Sequence, residues 1–216
     1  MNPHLLIIAI GLFYIVVFGG LSLLRREGLS AQFAIEVVLI TALVEAIALL
    51  TSTIVDPLPF LIFIYLFTMR GRLLVDLANA LSSRGRQGNA ITLLQWAMRL
   101  LPDRSTKLVI QVNMGIVQLR RKNPASAQEL FDGVLKEMDQ GGGLGIKYEA
   151  ACRYNLGQAL MQQGKEPEAV HQFNETMIIF PNSIYSKAAN RVLEQRRSRG
   201  KSKDEEQPED QDDQLS

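Results

Sequence analysis

Two carboxylates set inside a long apolar run have the strongest claim on chemistry in this chain. Glu45 lies near the middle of the run from Phe33 to Val55, and Glu36 precedes it by nine positions. An uncompensated carboxylate at the centre of a bilayer costs roughly 2.5 kcal/mol or more, so Glu45 needs a partner or a proton. At about 100° per residue, nine positions place Glu36 on the opposite helical face, which excludes a paired-carboxylate site. Glu36 is also close enough to the end of the run to reach water. Tyr14 in an earlier apolar run and Tyr65 in a later one fall at a depth similar to that of Glu45, and Thr41 is one turn away. The expectation is a polar clamp in which a protonated Glu45 hydrogen-bonds with Tyr14 and Tyr65 between helices. A proton or ion relay is the alternative.

Elsewhere the residues that catalysis needs do not assemble. Cys152 is the single cysteine, which excludes an internal disulfide framework, a cysteine-based zinc site and a CxxC redox motif; its apolar helical setting predicts inert packing. His4 and His171 are too remote from each other to suggest a metal pair. The triple glycine at 141–143 lacks the Lys-Ser/Thr ending of a phosphate loop. With no nucleophile–base pair and no metal-spaced carboxylates, the expectation is a non-enzyme with no cofactor, no metal and no small-molecule substrate.

The elements that must hold these residues are read from charge and hydropathy. Of the 216 residues, 1–69 carry a net −2, 70–200 a net +8 and 201–216 a net −5, so an overall +1 conceals three unlike parts. Leu5 to Leu24 is a charge-free run of twenty residues, long enough to cross about 30 Å of hydrocarbon. A cleavable leader would open with Lys or Arg and have a shorter core; Met-Asn-Pro-His does neither, so the run is read as a retained anchor. With Phe33 to Val55 and a shorter run ending at Met69, the expectation is three transmembrane helices at about 5–24, 33–55 and 57–69. Asp56, Pro57 and Pro59 crowd the start of the third, which keeps a re-entrant or interfacial segment open. Arg25-Arg26 follow the first run and Arg70, Arg72, Arg84 and Arg86 follow the third. That pattern puts the N-terminus outside and everything after Met69 in the cytoplasm.

Residues 70–199 contain an internal repeat. Ala78, Gly115 and Gly157 each precede an alanine by twelve positions: Ala90, Ala127 and Ala169. Small residues at such places let two antiparallel helices approach, while Leu, Phe and Met fill the adjoining grooves. The clearest copy has Leu156-Gly157, Ala169, Phe173 and Pro181, and it resembles the tetratricopeptide repeat, although Arg153 and Leu160 replace two of that pattern's aromatic residues. Met114-Gly115, Ala127 and Phe131 give a second copy. Leu77-Ala78, Leu81, Ala90, Leu94, Ala97 and Pro102 give a first. The copies are offset by 37 and 42 residues, so the surplus over 34 is assigned to the connections near 102–105 and 140–145. The resemblance implies an all-α solenoid with repeats at about 71–104, 108–141 and 150–183. A capping helix is expected at 184–199, with Ile184, Ala188 and Val192 inward. The acidic tail, 200–216, is expected to be disordered; its folding back onto the basic repeats is the alternative.

Tetratricopeptide repeats resemble one another in using their first helices to line a concave groove for a protein or peptide partner. Carried onto this sequence, that groove takes Arg72, Val75 and Asn79 from the first copy. It takes Val112, Asn113, Ile116 and Arg120 from the second, and Tyr154, Asn155, Gln158 and Gln162 from the third. Tyr154 and the amides would be the recognition groups, with packing alone as the plain alternative. Val75, Ala151 and Asn155 stand where a chaperone-tail clamp would need cations, so that use is not expected. The basic charge is expected to be a solvated face and arginines beside anionic lipid, with no nucleic-acid partner because no aromatic-basic motif accompanies it. The resemblance thus implies a membrane-anchored adaptor for assembling or stabilising a membrane complex, in a bacterial plasma membrane or a thylakoid-type membrane. A transport or sensing subunit working through Glu45 is the rival.

Overall fold

The computed structural model of the chain describes residues 3–24, 31–140 and 144–205, and every described element is a helix. Arg25-Arg26 in the first connection, Gly141 to Gly143, and the tail from 206 onward lie outside the described residues. The first two helices, α1 (Pro3–Leu24) and α2 (Ala31–Thr51), are long and apolar enough to cross a membrane. They pack through narrow stripes. Ile7, Gly11 and Tyr14 of α1 face Val37, Thr41 and Ala48 of α2, leaving leucines, isoleucines and valines exposed on the remaining circumference. Gly11 is required there, because a Cβ would lie 2.6 Å from Thr41 Oγ1.

The third apolar run forms α3 (Pro57–Thr68), capped by the Asp56 side chain, which accepts from the Leu58 N–H, with Pro57 at the first helical position. Its twelve residues span about 18 Å, short of a bilayer on their own. Alone it is a short helix rather than the expected third crossing at 57–69; only as one bent span with the helix that follows is it long and apolar enough to cross. At Met69 the chain bends by 68° into α4 (Arg70–Ser83). Phe60 and Ile64 of α3 complete a small core with Ile7, Tyr14 and Val37.

The next helices form three stacked hairpins: α4 with α5 (Gln87–Arg99), α6 (Arg104–Arg120) with α7 (Pro124–Asp139), and α8 (Ile146–Gln162) with α9 (Glu166–Ile179). The small residues do what their spacing requires. A Cβ on Gly115 would lie 2.6 Å from the Phe131 ring, and one on Gly157 would lie 2.6 Å from the Phe173 ring. Ala78 and Leu94 occupy the same relation in the first hairpin, both fully buried. The three tight turns are also alike. Gly85, Lys122 and Gly164 all have positive φ, and the residue after each bonds back to Leu81, Gln118 or Leu160. Each first helix thus ends in the same left-handed cap, which satisfies its last carbonyls.

Two expectations need correction here. The surplus residues do not all sit in connections, because α6 and α8 each begin four residues before the repeat starts inferred at 108 and 150. Asp103 caps the added turn of α6 by accepting from the Thr106 N–H, so the insertion is absorbed as helix. The final helix, α10 (Ile184–Glu205), packs on α8 and α9 but runs past 199. It buries Ala189 and Leu193, leaving Ile184 exposed, so its inward face is rotated by one residue from the inferred stripe.

Candidate functional site

The polar groups converge where the membrane-type helices meet the hairpin stack. Arg70, the first residue of α4, forks onto Glu36 of α2, with Nη1 2.7 Å from Oε2 and Nη2 2.9 Å from Oε1. Its Nη1 also donates to the Phe67 carbonyl and its Nε and Nη2 to that of Leu100, while the guanidinium carbon lies 4.9 Å from the Phe67 ring centroid. Gln32 adds a bond to Glu36 Oε1 at 3.0 Å and another to the Leu101 carbonyl at 2.8 Å. One planar cation therefore ties α2, the end of α3, the start of α4 and the end of α5 together. The fork geometry is something lysine does not supply. The sequence placed Glu36 within reach of water; its actual partner is the first arginine after the apolar runs.

A cavity of about 430 Å³ opens against this junction. Phe18, Phe33 and Tyr65 supply apolar wall; Glu36, Arg70, Arg72, Asp76 and Asp103 supply charge; Val75, Thr106, Val109 and Tyr148 close the side formed by the stack. Of the groove residues inferred from the repeat, Arg72 and Val75 line it. Tyr148 reaches it from the extra turn of α8. Spacing alone could not reveal this, because the cavity joins residues 18 to 148 through tertiary contacts.

The chain matches no protein-family model and no curated protein.

The other inferred groove residues are spread along α4, α6 and α8 and are largely committed to packing. Asn79 and Gln162 are exposed, and Val112 and Ile116 join the core or its edge. Asn113 and Asn155 each donate Nδ2 to the carbonyl four residues earlier, at 2.7 Å. Arg120 Nη1 donates to Ser82 Oγ at 2.8 Å, and Ser82 in turn donates to Gln87 Oε1, which links the first two hairpins. Tyr154 packs between Phe173 and Tyr185, at centroid distances of 5.8 and 6.0 Å, and its hydroxyl accepts from Gln158 Nε2.

The clamp inferred around Glu45 is arranged differently. Glu45 is buried, and its Oε2 pairs with His4 Nδ1 at 2.8 Å, while Oε1 has no hydrogen-bond partner among the described residues. Because α2 ends at Thr51, Glu45 lies within two turns of that helix end and meets the start of α1 rather than its middle. Tyr14 bonds Thr68 Oγ1 at 2.8 Å instead; since Thr68 donates to the Ile64 carbonyl, the phenol is the donor. Tyr65 is 40% exposed and its ring lies tilted against Phe18 at a centroid distance of 6.0 Å. The two tyrosines therefore belong to the α1–α3 contact, and His4 was the partner that sequence reasoning missed.

Proposed function

We propose that the chain is a membrane-anchored adaptor of tetratricopeptide type, whose α1 and α2 cross the bilayer and whose hairpins lie in the cytoplasm. It holds the segment of a partner membrane protein that emerges beside its own anchor, so as to assemble or stabilise a membrane complex. The observation that carries this reading is the cavity, whose wall on α1 to α3 is mainly apolar apart from Gln32 and Glu36, and whose wall on the stack sets Arg70, Arg72, Asp76 and Asp103 among Val75, Val109 and Tyr148. A chain leaving a bilayer changes character at the same level, from apolar side chains to charged ones. Anchoring host and guest in one membrane raises their effective concentration, so a modest contact suffices. The paired glycine–phenylalanine contacts and the threefold turn geometry support the tetratricopeptide reading.

A photo-crosslinking residue at Asp76, which lines the cavity, tests this in intact membranes. The expected result is a discrete adduct with an integral membrane protein that is lost when Arg72→Glu and Thr106→Lys are added. The same probe at exposed Gln95 on α5 is expected to give none. Equal adducts from both positions would sink the proposal.

The second reading, a transport or sensing subunit, draws on buried Glu45 beside His4. Glu45→Gln separates the two: an adaptor keeps its adduct at Asp76, whereas a proton-coupled subunit loses activity.

A further inference from the structure

Most of the large apolar side chains exposed on the hairpin stack gather at one end, Leu77 midway along α4 being the exception. Trp96 (61% exposed), Leu101 (78%), Ile178 (70%) and Ile184 (73%) are the most open, and Ile146 and Phe180 join them. All lie at or near one end of the stack, where first helices begin and second helices finish. The opposite end consists of the three left-handed turns at 84–86, 121–123 and 163–165. Those turns hold Arg84, Arg86, Arg121, Lys122 and Lys165 and no large apolar residue. The rim is interrupted at the second hairpin, whose α6 starts at Arg104 and whose α7 ends at Asp139, and an apolar rim on a folded chain marks a surface that something else covers.

Hydrogen bonds already described say what that is. Gln32, in the first turn of α2, bonds the Leu101 carbonyl, and Arg70, held on Glu36, bonds that of Leu100. The 21 residues of α2 measure about 31 Å, close to the thickness of the hydrocarbon layer, so its first turn lies at the boundary between acyl chains and headgroups. Leu100 and Leu101 are fixed at that depth, and Trp96 sits one turn of α5 beyond. This is the depth at which an indole, apolar with one polar N–H, is most stable in a membrane. The third hairpin reaches the same level, since Tyr148 shares the cavity with Phe18 and Gly19 of α1.

We propose that this rim rests in the headgroup region of the bilayer leaflet where α2 begins, so that lipid is a second, non-spanning contact of the protein. The stack then lies along the membrane with its basic turns pointing away. The proposal rests on the reading of α1 and α2 as spanning helices.

Trp96 is the only tryptophan, so the full chain carries its own probe. In phosphatidylcholine vesicles brominated near the headgroup, its emission is expected to be quenched relative to unbrominated vesicles, as for an interfacial indole. Leu100→Glu with Leu101→Glu is expected to abolish that quenching while the protein still resists alkaline carbonate extraction. A polarity-sensitive label on Ile184→Cys, with Cys152 shielded by burial, is expected to report an apolar surrounding in vesicles. A carbonate-resistant chain whose Trp96 is equally bright in both vesicles, or whose label at 184 reports water, overturns the rim and leaves the spanning helices standing. Release of the chain by carbonate overturns both.

Discussion

Single atoms decide much of the stack's stability. At Gly157, alanine would gain up to about 1 kcal/mol of helix propensity, but its Cβ would meet the fully buried Phe173 ring. Overpacking of that kind costs roughly 1–3 kcal/mol, so Gly157→Ala is expected to lower the denaturation midpoint, with Phe173→Leu restoring part of it. Lys122 gives the opposite sign. It holds a left-handed φ of 59° where the equivalent residues are Gly85 and Gly164, and Lys122→Gly is expected to raise stability by roughly 0.5–1 kcal/mol in the same assay. Burial pushes the Cys152 thiol far up. Maleimide should therefore fail to label the folded chain at neutral pH and label it after denaturation. Because the folded thiol ionises later than the free one, this group contributes full stability below about pH 8.5 and loses it as pH rises beyond. The glycine positions were legible in the sequence because size and spacing encode them. Lys122 was not, since a lysine carries no mark of the conformation that the repeat imposes on it.

At the level of helices, apolar length marked α1 and α2 as long enough to cross a membrane, whereas the third run is so only together with α4. Pro57 and Asp56 fixed where α3 starts, but nothing in its composition announced the bend at Met69, beside which Arg70 is paired with Glu36. Arg70→Lys keeps the charge and loses the fork, at a cost on the order of 1–2 kcal/mol for a pair that is about one-fifth exposed. Amide exchange is expected to quicken around 69–73 and at 100–101, with α8 and α9 unaffected. Uniform exchange across the chain would mean that the ion pair does not couple these helices. The added turns of α6 and α8 were read as loop because repeat length constrains where a unit recurs, not whether extra residues coil or wind.

Across the whole molecule, the order of an apolar head followed by helical hairpins could be read from hydropathy and a twelve-residue spacing. The cavity could not, because its walls come from helices far apart in sequence. Nor could the partner of Glu45, because His4 precedes the first apolar run and drew attention only as a metal ligand. The hairpins themselves share material: Val109 of α6 packs against both buried clusters of the stack. Denaturation of the stack is therefore expected in one cooperative transition, and Val109→Ala should shift the signals of the first and third hairpins together. Two separated transitions would show the clusters to be independent.

Only Met69 separates α3 from α4, and its N–H and carbonyl are both engaged, with Tyr65 and Leu73. The joint therefore has a fixed angle and no slack. Any displacement of the stack is passed to Thr68, whose hydroxyl is bonded to the phenol of Tyr14 in α1. The far end of that same helix carries His4 against Glu45, so one continuous helix joins the two polar contacts.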